Sequence, residues 1–340
     1  MNTPTETTPI SKQEKDLEST RSFKIVQIGC GVVGKAYVEA YQAAGCEVIS
    51  IDANKELVKK YKDCMKICHI DDDMNFIKDV DFIMLSICTP EKDGRLDLSY
   101  LFGSIPNVAT IVKNSPDAFV IIRSTVPPGT TRLYKKKLEA EIGKTCKVLF
   151  QPEFLRAVSA VKDALEPWCV IIGINDATDD EKTKLEALYT KFIKKKLIKF
   201  LNVEEAELQK IANNCFNATK ISFTNQFDLL CKAYTEESGI SISTDNIMEA
   251  LVLSCEGYKN PKYGTKPGHA FWGSCLPKDI EELASLERKF FLSTPFFECV
   301  VRVNKLMQKK DNKPILEGDH HISSEELHFQ NITRTRSTTL

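Results

Sequence analysis

Apolar and polar positions follow one another along the chain in two different rhythms. Up to residue 174 short apolar runs recur at 23–28, 47–51, 81–87, 118–122, 147–150 and 169–174, separated by polar or helix-length segments. Runs this short, apolar almost throughout, are the signature of strands buried on both faces, which predicts an α/β fold with a parallel sheet covered by helices. Between the first two runs, 29–34 is a glycine-rich turn and 35–44 reads as a helix, with Gly45 as its stop signal.

After residue 200 the rhythm becomes helical. Asn202 and Glu205 stand at capping-box spacing. Leu208, Ile211, Ala212, Cys215, Ala218 or Thr219, and Ser222 then recur at helical intervals, with neither Pro nor Gly before Gly239. This predicts one helix of about 30 residues, long enough to be a domain spine or a subunit interface. A second helix is expected at 244–253, then a Gly/Pro-rich loop at 257–273. Pro277 opens the last clear helix, 278–290. The expected organisation is therefore a disordered polar arm at 1–20, a Rossmann-type domain at 21–201, an all-α domain at 202–310, and a disordered polar tail at 311–340. No internal repeat is visible.

The length of 340 residues suits two domains. Lys and Arg number 46 against 47 Asp and Glu, which argues against a nucleic-acid binder. No run approaches the ~18 apolar residues of a membrane span. The opening Met1-Asn2-Thr3-Pro4 has no apolar segment after it, and the expected location is the cytoplasm. In that setting the twelve cysteines are read as thiols rather than as a disulfide framework. Cys64-x3-Cys68-His69 has no second ligand pair at zinc spacing, and His320-His321 sits in polar sequence, so no metal is expected.

Gly29-x-Gly31-x-x-Gly34, with Val32 and Val33 inside it, stands directly after a strand and directly before a helix. That context fits a dinucleotide: tight turn, close pyrophosphate approach, and helix–strand packing, with the diphosphate at a helix N-terminus. Asp52 ends the second strand, where a carboxylate accepts both ribose hydroxyls and repels a 2′-phosphate, which points to NAD rather than NADP. Cys275 lies at a loop-to-helix junction beside Lys278, where dipole and charge bias a thiol toward thiolate. Lys210 and Asn214, four apart on the long helix, project together, as an oxyanion site or as a solvated face. Thr125 and Glu153 each follow a strand of the sheet, where ligands collect, though each also reads as a turn former. The basic run 191–199 reads as a solvated face.

Taken in order, Ile28-Gly29-Cys30-Gly31-Val32-Val33-Gly34, Cys88-Thr89-Pro90, Ser124-Thr125-Val126-Pro127, Pro152-Glu153-Phe154-Leu155-Arg156, Glu207-Leu208-x-Lys210-Ile211-Ala212-x-Asn214 and Gly273-Ser274-Cys275-Leu276-Pro277-Lys278-Asp279 resemble the UDP-glucose/GDP-mannose dehydrogenase family. The resemblance runs from about Phe23 to Leu306. It implies oxidation of the C6 alcohol of a nucleotide sugar, UDP-glucose first among them, to a carboxylate with two NAD. It implies Cys275 as nucleophile, Lys210 and Asp279 handling alkoxide charge and water, and Thr125 and Glu153 ordering water, with Glu153 as base. Asn214, Phe154, Leu155, Lys262 and Gly273 would contact the substrate. Gly29, Gly31, Val32, Val33, Gly34, Asp52, Thr89, Pro90, Thr125 and Lys278 would contact NAD. The helix at 204–235 is expected to pair with its copy in a homodimer, since a long amphipathic helix needs a second surface to cover it.

The chain departs from the family pattern in places. Trp272 replaces a glycine before the nucleophile, Ala157-Val158 replaces Glu-Gly, and Lys262-Tyr263-Gly264 stands where Arg-Ile-Gly is usual. The family's Arg reaches a neighbouring subunit's substrate, and lysine lacks its bidentate fork. Only about 30 polar residues follow Lys310, so the family's third, nucleotide-binding domain is expected to be absent. Two alternatives stay open: a 3-hydroxyisobutyrate-type dehydrogenase, which needs no cysteine, and a non-catalytic NAD-binding dimer partner.

Overall fold

A computed structural model of the chain describes residues 22–273 and 275–310. The arm at 1–20 and the tail at 311–340, with His320-His321, lie outside the described residues. The chain divides into two compact units between Cys215 and Phe216.

The first unit is built on an eight-stranded sheet: β1 Lys24–Ile28, β2 Glu47–Asp52, β3 Ile67–His69, β4 Phe82–Leu85, β5 Phe119–Ile122, β6 Lys147–Phe150, β7 Val170–Gly173 and β8 Ile198–Leu201. Its spatial order is β8-β7-β6-β5-β4-β1-β2-β3. Neighbours run parallel except β6 and β7, which meet at the single antiparallel pair Phe150↔Gly173. The helices are α1 Val32–Ala43, α2 Lys55–Tyr61, α3 Ile105–Asn114, α4 Thr130–Ile142, α5 Ala160–Leu165, α6 Asp179–Tyr189 and the start of α7 Val203–Ser238. Because side chains alternate along a strand, the same apolar runs feed two cores. Val26, Ile28, Ile83, Leu85, Val120 and Ile122 enter one. Ile25, Phe82, Met84, Phe119 and Ile121 enter the other. This is the Rossmann-type sheet the apolar runs predict.

In this unit α1 opens at Val32, inside the expected turn, and not at Lys35, and two further elements differ from the sequence expectation. The run 191–199 is not wholly a solvated face: Lys194, Lys195 and Lys196 are exposed, but Ile193 and Ile198 are buried and β8 begins at Ile198, pairing with Val170. An edge strand has one neighbour and can keep Lys199 in water, so its signal is hidden among lysines. The inward face of α7 is also different. Leu208 is 52% exposed and Ala212 and Cys215 are exposed, whereas Val203, Ala206, Glu207 and Lys210 are buried. That face carries two charges because each finds partners, described below, that offset its burial.

The second unit contains the rest of α7, then α8 Thr244–Ser254, α9 Leu276–Lys289 and α10 Phe296–Lys310. The last of these follows the helix that the sequence reading takes as the final one. Leu230, Ala284, Phe297 and Val301 form its core, with Phe223, Phe227 and Phe296 packed against them. The buried Glu287 carboxylate accepts bonds from Gln226 Nε2 at 2.7 Å and from the Phe297 and Glu298 amides at 3.0 and 3.1 Å, capping α10. Among the described residues no helix is long and apolar enough to cross a membrane.

Candidate active site

The strand order reverses between β1 and β4, and ligands of such sheets bind beyond the carboxyl ends of the strands at that point. The loops that follow β1 and β4 touch there. Gly29 has φ +86°, and a Cβ on it would lie 2.4 Å from the Ser86 carbonyl oxygen. A Cβ on Gly34, in the first turn of α1, would collide with the Gly29 carbonyl at 1.8 Å. Buried Gln27 donates to the carbonyls of Ile28 and Gly29, both at 3.1 Å, fixing the turn from below. Asp52, at the end of β2, accepts the Cys30 amide at 2.6 Å and the Asn54 amide at 2.8 Å. Val32 is 62% exposed at the start of α1, with Val33 beside it. Beyond β4 and β5 the loops are laced together: Thr89 Oγ1 donates to the Thr125 carbonyl at 2.8 Å, and Ser124 Oγ accepts the Ile87 amide at 2.9 Å. Pro90 is exposed.

A dinucleotide fits this cradle. Packing within the chain accounts for Gly29 and Gly34, but a Cβ on Gly31 would meet nothing within 4 Å. Gly31 faces a groove of about 580 Å³ lined also by Cys30, Val32, Lys35, Tyr61 and Ala157–Lys162. Open space beside a glycine at a helix N-terminus, with Asp52 holding the same turn, suits a pyrophosphate.

At the end of β6, Glu153 meets α7. Lys210 Nζ donates to the Glu153 backbone carbonyl and, at 3.2 Å, to its Oε1. Both side chains are largely buried, 6% exposed for Lys210 and 15% for Glu153. Glu153 Oε2 accepts the Leu155 amide at 2.7 Å, and the ammonium lies 5.3 Å from the Phe154 ring centre. Lys210 is thus no solvated-face lysine, while Asn214, one turn on, is exposed and accepts Nδ2 of Asn213. Glu207, one turn before Lys210, is fully buried. It accepts the Gly129 amide at 2.6 Å, the Thr131 amide at 2.8 Å and the Thr131 hydroxyl at 2.7 Å. Burial pushes the Glu207 carboxyl above its usual range against the pull of those bonds. It caps α4 and ties the Thr125 loop to α7, a role that the sequence reading misses although Glu207 falls within the quoted motif.

In the second unit, Cys275 is the N-cap of α9 and exposed, its carbonyl accepting the Asp279 amide at 3.1 Å. The Lys278 ammonium lies 2.5 Å from Asp279 Oδ1, so its charge falls first on that carboxylate. Buried Asn304 of α10 anchors the preceding loop by accepting the Phe271 amide at 2.8 Å and donating to its carbonyl at 3.0 Å. No sequence motif singles Asn304 out. Gly273 has φ +97°, the buried Trp272 indole N–H has no hydrogen-bond partner among the described residues, and Lys262 is exposed. Thr125, Glu153 and Lys210 belong to the first unit, and Lys262, Gly273, Cys275, Lys278 and Asp279 to the second.

Comparison with known proteins adds the following. The UDP-glucose/GDP-mannose dehydrogenase family's NAD-binding domain matches residues 69–193, starting after Asp52, and its central domain matches 204–306. A UDP-glucose 6-dehydrogenase of Rickettsia typhi is 33% identical over 235 residues, 68% of this chain and 51% of that protein. A GDP-mannose 6-dehydrogenase of Pseudomonas syringae pv. syringae is 28% identical over 310 residues, 83% of this chain and 68% of that one. The chain spans about half the length of the UDP-glucose relatives. Among solved structures, GDP-mannose dehydrogenase from Pseudomonas aeruginosa in a ternary complex superposes with a TM-score of 0.74 at 25% identity, covering 85% of this chain and 69% of that one.

Proposed function

Because the chain belongs to the UDP-glucose/GDP-mannose dehydrogenase family, NAD-dependent enzymes that act on a CH–OH group of nucleotide sugars, we propose that it oxidises the C6 alcohol of a nucleotide sugar, UDP-glucose first, to the carboxylate. The observation that carries this reading is the buried Lys210–Glu153 pair at the carboxyl edge of a dinucleotide-type sheet. NAD, held by Gly29, Gly31, Val32, Val33, Gly34, Asp52, Thr89, Pro90, Thr125 and Lys278, supplies a hydride acceptor for each of two oxidations.

The chain's own residues do the rest. The Cys275 sulfur adds to the C6 aldehyde, and the aldehyde oxygen takes up a proton to give a thiohemiacetal that cannot escape. Its oxidation leaves a thioester. Glu153 takes a proton from a water ordered with Thr125, the water oxygen bonds to the acyl carbon, and the C–S bond breaks to return the thiolate. Lys210 offsets charge on the sugar oxygen during these steps, with Asp279 assisting. Phe154, Leu155, Asn214, Lys262 and Gly273 line the sugar site. The NAD-binding domain is taken as 21–201 and the helical domain as 202–310.

Assembly as a homodimer through 204–235 is supported by the apolar side chains that α7 leaves exposed, Leu208, Phe216, Ile221 and Leu229 at 52, 69, 64 and 46%. A long helix that leaves such side chains in water needs a second surface. Light scattering that finds a monomer at micromolar concentration overturns the dimer.

The deciding experiment mixes the purified chain with NAD and UDP-glucose and counts NADH per sugar. Two are expected. One per sugar overturns the Cys275 route, and NAD binding without turnover on any nucleotide sugar favours the non-catalytic reading. Cys275→Ser is expected to stop after one oxidation or at a stable ester, since an oxygen ester is a poorer acyl donor. Full turnover by that variant removes Cys275 from the reaction. NADP is expected to bind far more weakly than NAD because of Asp52, and equal affinity overturns that assignment.

A further inference from the structure

A second cation is buried in the sheet unit, away from the roles assigned above. Arg123 follows β5 and is 1% exposed. Its guanidinium carbon lies 3.2 Å from the Tyr37 ring centre, and Nη1 donates to the Tyr41 hydroxyl at 3.2 Å. Nε and Nη2 have no hydrogen-bond partner among the described residues. Among the described residues no carboxylate lies within ion-pair distance of it. The polar groups around it are engaged with one another: Tyr189 donates to Gln151 Oε1 at 3.3 Å, and Gln151 Nε2 donates to the Pro152 carbonyl at 2.8 Å. Asp163 is occupied by Arg156 at 2.7 and 3.0 Å and by the Ser159 hydroxyl at 2.9 Å. The phenols bring no negative charge, since burial pushes Tyr41 up to about 12 and raises Tyr37 and Tyr189 as well.

Arg123 lines a cavity of about 30 Å³ with Tyr37, Tyr41, Gln151, Trp168 and Tyr189; Asp163, held by Arg156, and the exposed Glu166 border it as well. About 10–15 Å³ of such space already holds one water molecule, so the cavity has room for a single small ion or water. A buried charge with no ion-pair partner is costly, although Glu153 acts on it at longer range, and Nε with Nη2 is the side-on fork by which arginine grips an anion.

We propose that Arg123 holds one small monovalent anion of the halide class in this cavity. The ion neutralises the guanidinium and satisfies its two idle donors. Gln151, Pro152, Phe154 and Leu155 line the same cavity, so the ion lies behind the loop that carries Glu153 and stiffens it. The site does not depend on the dehydrogenase reading.

The test is a halide titration of the full chain. Chloride or bromide replaces gluconate at constant ionic strength while the melting temperature is followed, and crystals grown in bromide are examined at the bromine absorption edge. The expected result is a saturable rise of roughly 2–4 °C and an anomalous peak within contact of Nε and Nη2. Arg123→Met should lose the halide-specific rise. A melting temperature indifferent to halide, or a water with no bromine signal in the cavity, overturns the proposal. Both readings come from the parent protein, so they decide the matter even where the variant fails to fold.

Discussion

Lys210 and Arg123 are buried cations of the same sheet unit, and the protein meets their charges in different ways. The Lys210 ammonium, a compact point charge, is given a carboxylate and a carbonyl from one residue, Glu153. The Arg123 guanidinium, flat and delocalised, is given a ring face and a phenol. Guanidinium is the more weakly hydrated and stacks on aromatic faces, so it tolerates a cage that an ammonium would not. The Lys210 pair stands where strands end and ligands collect, and under the proposed function its partners would be exchanged for a substrate oxygen. Arg123 stands at the same carboxyl edge, directly after β5, but is met by the tyrosines of α1 instead of by a carboxylate. Burial alone therefore does not separate a working cation from a supporting one; the kind of partner does.

The largest expected effect breaks the first half of this comparison. Lys210→Met leaves the Glu153 carboxylate in place without its cation, and removing one partner of a buried pair costs about 3–5 kcal/mol. Turnover should fall on the order of 10²–10³-fold, as for loss of one oxyanion partner. Denaturant melts and initial rates read the two separately. Adding Glu153→Leu to that variant should restore most of the stability and none of the activity, a cycle that isolates the pair. If the double variant is no more stable than the single one, the charge pair is not what holds α7 to the end of β6.

A smaller effect is expected at the other cation. Arg123→Met removes a cation–ring contact of about 2 kcal/mol and leaves no carboxylate behind. The loss should be below that of Lys210→Met in denaturant melts at low halide. A larger loss would reverse the comparison.

The smallest effect at neutral pH, and a clear one in alkali, comes from the phenols of the cage. Tyr41 is raised to about 12, against about 10 for an unfolded tyrosine. A folded pKa above the unfolded value gives stability that is fully present below pH 10 and is lost as pH rises toward 12. The decline approaches about 1.4 kcal/mol per pH unit for each such phenol. Tyr41→Phe should shallow that slope by one group, and melts between pH 9 and 12 measure it. An unchanged slope would mean that Tyr41 ionises as freely in the fold as out of it.

Much of the frame was legible from residue order. The interior strands are announced by unbroken apolar runs such as 82–85 and 119–122, because a strand covered on both faces has no polar side to confuse the pattern. The turn at Gly29–Gly34 and the helix after it are equally plain. β8 was hidden because an edge strand needs few apolar residues, and its Ile198 stands among lysines. The inward face of α7 was misread because apolar spacing pointed to Leu208, Ala212 and Cys215. The buried face instead includes Glu207 and Lys210, whose partners at Gly129, Thr131 and Glu153 lie far off in sequence. α10 was passed over although Phe297, Val301 and Asn304 stand at helical spacing. Arg123, in a strand-end run beside Ser124-Thr125, looks like any basic residue of a turn. Nothing local betrays the tyrosines of α1 and α6 that enclose it.

The empty space beside Gly31 has a practical meaning. Its backbone, φ −62° and ψ −164°, is extended and open to any L-residue, and a Cβ there strikes no atom of the chain. Gly31→Val should accordingly fold and melt like the parent while its methyl groups occupy the ground a diphosphate needs. Calorimetry should register no heat with NAD. Such a variant is a blank for every assay above: the same surface, the same thiols and the same helices, deaf to the nucleotide alone.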